Sequence, residues 1–163
     1  MAWNPRRGVE LRGAVPADAA DLARLLGQLG YPTSPQEATE RLATLLRDSQ
    51  GSLLVATDYG PVVGFIALHW TPMPQERHPV ARITALVVDE QERGRGIGRM
   101  LLKAGAQAAR QAGCDVLELT AGTQRQEAHG FYRAQGFSDT ATRFVRNLRR
   151  NRPTETPRDP DEE

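Results

Sequence analysis

The stretch that decides the fold is VVDEQERGRGIGRMLL, Val87 to Leu102. An apolar run ends at Asp89, and alternate glycines follow at Gly94, Gly96 and Gly98. The helical spacing of Ile97, Leu101, Ala104 and Ala108 then begins at once. A strand that enters a helix through alternate glycines lets the backbone approach a ligand closely and take positive φ. The helix start adds unpaired N–H groups and the positive end of a dipole, so the segment reads as an anion site suited to a pyrophosphate. Arg93, Arg95 and Arg99 bring positive charge to it. A P-loop is excluded, because no G-x-x-x-x-G-K-[ST] string occurs. A dinucleotide fingerprint fails too: counted from Gly94, G-x-G-x-x-G needs a glycine where Arg99 stands.

Working outward, the segment before it reads as strands. SLLVAT (Ser52–Thr57) and VVGFIALH (Val62–His69) flank the turn residues Asp58-Tyr59-Gly60-Pro61, a hairpin signal. A Pro-rich loop, Thr71 to Pro79, leads into ARITALVVD, Ala81 to Asp89. Further upstream, Val9 to Ala14 alternates as a short strand. Pro16 and Asp18 open a helix with Leu22, Leu25, Leu26 and Leu29 in period, closed by Gly30 and Pro32. Ser34, Pro35 and Glu37 have the spacing of a capping box, and Leu42, Leu45 and Leu46 follow. Downstream, DVLELT (Asp115–Thr120) is a strand and Gln124 to Gln135 a helix stopped by Gly136. Phe137 to Leu148 carries a hairpin's worth of strand. The order β-α-α-β-β-β-α-β-α-β-β predicts an α/β (α+β) fold, a mixed sheet with helices on both faces.

Length and charge set the outer limits. The 163 residues suit one domain, expected over 9–148. Residues 1–8 are expected to be a flexible N-terminus. Residues 149–163 hold only Arg, Asn, Pro, Thr, Glu and Asp, and are expected to be a disordered tail. With 21 Lys+Arg against 20 Asp+Glu the formal charge is +1, so no bulk field favours nucleic acid or membrane. The arginines at 143, 146, 149, 150 and 152 form a basic stripe, but acidic residues close the tail at 159 and 161–163. Cys114 is the single cysteine, which excludes an intrachain disulfide, and with three His it makes no zinc module. No metal is expected. No apolar run nears the ~20 residues of a membrane span, and the N-terminus does not read as a signal peptide. The expectation is a soluble, cytoplasmic protein.

These residues resemble a family. Arg93-Gly94-Arg95-Gly96-Ile97-Gly98 matches the acetyl-CoA signature [QR]-x-x-G-x-[GA] of the GNAT superfamily of N-acetyltransferases. LVVDE before it is similar to the family's fourth strand. LELTAGTQRQEAHGFYRAQGF, Leu117 to Phe137, looks like the segment of small bacterial members with AH-x-FY-x-x-x-GF. The resemblance spans roughly Val9 to Leu148. It implies a mostly antiparallel central sheet of about seven strands, splayed between strands 4 and 5. It also implies acetyl-CoA as acetyl donor, with CoA as product, and transfer to a primary amine of a small molecule or peptide by direct attack in a ternary complex. Homodimers are common among such relatives. No nucleic-acid or membrane partner is expected. A non-catalytic acyl-CoA-binding module is the alternative reading.

Carried over residue by residue, the pantetheine arm falls on backbone groups of Leu86, Val87 and Val88, in the manner of an added strand. The pyrophosphate falls on N–H groups of Arg93, Gly94, Arg95, Gly96, Ile97, Gly98 and Arg99. Thr120 is a cofactor-touching position. The Val88 N–H is the expected oxyanion donor. Tyr132 is the general-acid candidate, since a phenol of pKa about 10 can protonate a leaving thiolate whose conjugate acid lies near ~8.5. Some members carry a glutamate base on the fourth strand at the position read here as Arg82. Glu118 is the substitute base candidate, with a solvated or arginine-paired side chain as its ordinary alternative. His129 is a weaker candidate one turn before Tyr132. The first two helices and the Pro-rich loop are expected to form the acceptor side.

Overall fold

The structure, a computed structural model, describes residues 7–122 and 125–149. The start of the expected N-terminal lead-in and nearly all of the expected tail lie outside these residues. The chain forms two compact units, the first ending at Leu119 and the second starting at Thr120.

The first unit is built on one sheet, in the order β1 (Val9–Gly13), β2 (Gly51–Asp58), β3 (Val62–Thr71), β4 (Val80–Val88), β5 (Val116–Glu118). All pairs are antiparallel except β4 with β5. Strand alternation sends successive residues of β3 to opposite faces. Phe65 and Ala67 join the core under α1 (Ala19–Gln28) and α2 (Pro35–Arg47), together with Leu22, Leu25, Leu42 and Val55. Ile66 and Leu68 face the other way, onto Gly105 of α3 (Ile97–Gln111). Helices therefore cover both faces.

Local signals act where the sequence places them. Ser34 Oγ accepts from the Glu37 N–H at 3.1 Å, and Glu37 Oε1 accepts from the Ser34 N–H at 3.3 Å. This reciprocal cap, with Pro35 at the first helical position, starts α2. Gly30 takes φ 102 after α1, and the Tyr31 N–H closes onto the Leu26 carbonyl at 2.9 Å.

One expectation is corrected. The described residues carry five strands, not about seven. Residues 137–149 form no ladder, and Phe144 and Leu148 are 92% and 87% exposed. The apolar residues there, Phe137, Ala141, Phe144, Val145 and Leu148, do not recur at every second position. No pleated face would be apolar, so no register is specified, and a lone hairpin is marginal in water.

The second unit holds α4 (Gln126–Ala134), which ends at Gly136 with the Phe137 N–H bonded to the Tyr132 carbonyl at 3.0 Å. Among the described residues no helix is long and apolar enough to cross a membrane.

Candidate active site

The site begins with an interrupted ladder. β4 pairs with β5 only at Val80–Val116, Ala81–Leu117 and Arg82–Glu118. β4 then runs on to Val88 beside β3 alone. A bulge lies next to the departure. Ile83 pairs with Leu68 and Ala85 with Ala67, which leaves Thr84 as an extra residue on β4. Its hydroxyl donates to the Ala67 carbonyl at 3.3 Å. A bulge bends its strand and increases the local twist, and here it sits just beyond the last β4–β5 rung.

Backbone direction sorts the three predicted pantetheine positions. The Asp89 N–H donates to the Val63 carbonyl of β3 at 2.8 Å. In an antiparallel pair, residues alternate between facing the partner and facing away. Val87 therefore faces β3, and its side chain is buried in the core. Leu86 and Val88 turn their N–H and C=O groups to the edge that β5 does not cover. The structure thus brings Leu86 and Val88 to that edge and turns Val87 away from it.

Past β4, Asp89 caps a short 3-10 turn, Glu90–Glu92, by accepting from the Gln91 N–H at 3.1 Å. The glycine turn follows. Gly94 and Gly96 take φ 81 and φ 77, a region that disfavours any side chain. A Cβ at Gly94 would meet nothing within 4 Å, so that side of the turn is open. Gly96 is the N-cap of α3, and no side chain caps the helix. The first-turn amides, including those of Ile97, Gly98 and Arg99, have no intrahelical acceptor, and no acidic residue occupies the turn. A strand edge that β5 does not pair, an open glycine turn and an uncapped fifteen-residue helix in sequence fit an extended ligand ending in phosphate.

The three arginines of the turn differ in duty. Arg93 and Arg99 are exposed. Arg95 folds back onto β2: its guanidinium reaches Asp58 at 2.8 Å and Glu92 at 2.6 Å. Its hydrogen bonds to the Asp58 carboxylate, then to that of Glu92, hold the guanidinium above its ordinary pKa. Its charge fastens the turn to the sheet.

Glu118 and Arg82 face each other at 3.4 Å on the last β4–β5 rung, each half-exposed. The base candidate and the arginine in the family's glutamate position are one ion pair. Thr120 is exposed at the start of the second unit. In that unit the Tyr132 ring lies edge-on between Phe131, centroids 5.4 Å apart, and Phe137, 5.7 Å apart. His129 hydrogen-bonds the Gly122 carbonyl through Nε2.

Sequence reasoning missed the tethers. Asp89 is buried and accepts from Arg24 of α1 at 2.5 Å. Burial pushes its carboxyl up, but the Gln91 N–H, Arg24 and Gln28 outweigh this and hold it below the usual carboxylate range. The one local signal was an aspartate two residues before Gln91 at a strand end, the pattern of an Asx turn.

A family model described as "Acetyltransferase (GNAT) family" matches residues 19–137. The chain belongs to the GNAT family. It is 32% identical over 140 residues to an aminoalkylphosphonate N-acetyltransferase of Salmonella typhimurium, covering 85% of this chain and 91% of that protein. It is 34% identical over 134 residues to an aminoglycoside N(6')-acetyltransferase type 1 of Stenotrophomonas maltophilia, covering 80% and 86%. Among solved structures, a Trypanosoma brucei acetyltransferase superposes with TM-score 0.72 at 26% identity, over 86% of this chain and 99% of that one. A Bacillus halodurans transcriptional regulator reaches TM-score 0.79 at 23% identity, over 86% and 99%, a likeness of fold alone. GNAT enzymes use acetyl-CoA as acetyl donor, and this GNAT protein is an acetyl-CoA-dependent N-acetyltransferase.

Proposed function

We propose that this GNAT enzyme acetylates a primary amine of a small molecule or peptide, by direct attack of the amine within a ternary complex. The observation that carries the reading is the stretch of β4 beyond Arg82. Its edge, unpaired by β5 and with the backbone of Leu86 and Val88 turned toward it, leads straight into the open glycine turn and the N-terminus of α3. Acetyl-CoA supplies an activated thioester there.

The chain's own groups then take these roles. Leu86 and Val88 hydrogen-bond the pantetheine arm as a further strand would. Backbone N–H groups from Arg93 through Arg99 hold the pyrophosphate, and Thr120 contacts the cofactor. The Val88 N–H donates to the oxygen on which negative charge develops, a fixed donor that needs no reorganisation. Tyr132 gives its proton to the departing thiolate. Glu118 is the base candidate, and its engagement with Arg82 supplies a sharp test. In Glu118→Gln a base role removes most of kcat, whereas a purely ionic role lowers stability and leaves kcat intact.

The acceptor classes to screen first are those named for the two relatives, aminoalkylphosphonates and aminoglycosides. The proposal places the enzyme in the cytoplasm with no nucleic-acid or membrane partner, and leaves a homodimer as one possible assembly.

The first experiment is thermal unfolding with acetyl-CoA, CoA or NAD. A ligand at one hundred times its dissociation constant adds ~2.7 kcal/mol. For a domain of this size that raises Tm by roughly 5–10 °C. A rise with acetyl-CoA and CoA but not NAD supports the reading; no rise with either overturns it. Tyr132→Phe then tests the acid: kcat falls while acetyl-CoA affinity holds.

A further inference from the structure

We infer that Asp89 is a positioning residue that makes α1 part of the cofactor machinery; the inference rests on the acetyl-CoA site proposed above. The sequence assigns the first helix to the acceptor side. The structure ties it to the strand end proposed above to hold the other substrate. Arg24 and Gln28, one turn apart on α1, both reach the end of β4. Arg24 donates to Asp89 Oδ2 at 2.5 Å and to the Val62 carbonyl at 2.9 Å. Gln28 donates to Asp89 Oδ1 at 3.5 Å, and its Oε1 accepts from the Glu90 N–H at 3.0 Å. Asp89 itself accepts from the Gln91 N–H, and its carbonyl accepts from the Glu92 N–H at 2.8 Å.

The place of this knot gives it its consequence. Asp89 follows Val88 directly, and Val88 presents the N–H assigned to the developing oxyanion. The 3-10 turn that Asp89 caps leads within two residues to Gly94. A shift of Asp89 therefore moves two parts of the site together, the end of the strand edge and the start of the glycine turn. The carboxylate is buried and fully engaged, so it holds the backbone on either side to a fixed position. Arg95, on Asp58, fastens the far side of the same turn to β2. The turn is suspended between two carboxylate tethers, one to α1 and one to the sheet.

The test uses the full-length enzyme and two variants. Asp89→Asn keeps the acceptor for the Gln91 N–H and loses the ion pair. Arg24→Gln removes the charge from a side chain that is 42% exposed, and carries the test should Asp89→Asn not fold. Hydrogen exchange of residues 89–99 is read in the free protein, and acetyl-CoA affinity and KM are read separately. The expected result is faster exchange confined to that stretch. Weakening of acetyl-CoA binding and a rise in its KM by about tenfold or more accompany it, the scale of a small misplacement. The acceptor KM stays within about twofold, a negligible energy. The double variant is no worse than the poorer single one, because the two residues act as a unit. Unchanged exchange overturns the inference. So does faster exchange with unchanged acetyl-CoA affinity, or a change confined to the acceptor KM. Should wild-type enzyme fail to bind acetyl-CoA, the functional reading fails and the positioning role falls with it. The exchange data would then still report whether Arg24 and Asp89 hold the turn.

Discussion

Two glycine-to-alanine substitutions, one in each of two strands, isolate the contact that seats β4. Gly64 lies on β3 opposite Val88. A Cβ there would stand 2.9 Å from the Val87 carbonyl oxygen and 3.1 Å from Leu101 Cδ1. The first neighbour is backbone and cannot rotate aside. Gly13 lies on β1, exposed, and a Cβ there meets nothing within 4 Å. Alanine in place of glycine in a strand gains ~0.5–1 kcal/mol, largely from the unfolded chain. Gly13→Ala should therefore raise Tm. At Gly64 that gain is opposed by an overpacking cost of ~1–3 kcal/mol. The net is a loss of about 1 kcal/mol, and the gap between the two variants is the contact term itself. For a domain of this size, at ~2–4 °C per kcal/mol, the two melting temperatures should differ by about 2–12 °C. Thermal and urea unfolding of both proteins measure it. Because the displaced carbonyl lies between Leu86 and Val88, the acetyl-CoA KM should also rise in Gly64→Ala and not in Gly13→Ala. Equal shifts of the same sign would refute the reasoning, since the close approach to Val87 would then carry no energy.

Three further outcomes follow from other parts of the molecule. Asp18 is buried and takes a two-pronged pair from Arg12, both contacts 2.8 Å, plus the Val15 N–H at 2.9 Å. The Arg12 hydrogen bonds lead the causes that hold its carboxyl below the ordinary value. It therefore stabilises the fold at neutral pH and loses that contribution as pH falls from ~4 through the folded-state value. Asp18→Asn should cost roughly 1.5 kcal/mol at pH 7, the low end for a charged hydrogen bond because Arg12 is partly solvated. Urea unfolding from pH 7 to pH 3 should show the gap to wild type narrowing toward acid. Ser34→Ala removes the reciprocal cap of α2 and should cost about 1 kcal/mol, read as a lower urea midpoint at unchanged slope. Leu42→Ala, at a fully buried site between α2 and the sheet, should cost ~2–5 kcal/mol in the same assay.

What could be read in advance divides by the range of the interactions involved. The capping box at Ser34, the hairpin turn at Asp58–Pro61 and the glycine string at Gly94–Gly98 are each set by neighbours within a few residues. Their spacing is itself the physics, so strand and helix positions for most of the first unit follow from it. Thr84 shows where that stops. ARITALVVD reads as one unbroken apolar strand, and nothing in its composition marks the residue that bulges. The bulge arises in pairing with Ala67 and Leu68 of β3, and it lies just past the rung where β5 leaves β4. The segment after Phe137 fails for the opposite reason. Its β-prone residues suggest strands, but without alternation they offer no face to bury, and propensity without a partner makes no sheet. The site divides in the same way. The glycine turn proposed to hold the pyrophosphate is local, and its conformation was legible. The carboxylates that hold it, Asp58 and Asp89, find their arginines through the fold: Arg24 lies 65 residues from Asp89, and Arg95 lies 37 from Asp58. Each was visible only as an ordinary turn or strand-end aspartate. A glycine turn can thus declare its form in sixteen consecutive residues while the residues that fix its geometry remain silent until the chain is folded. In this enzyme those silent residues are the ones whose substitution should separate the shape of the turn from its composition.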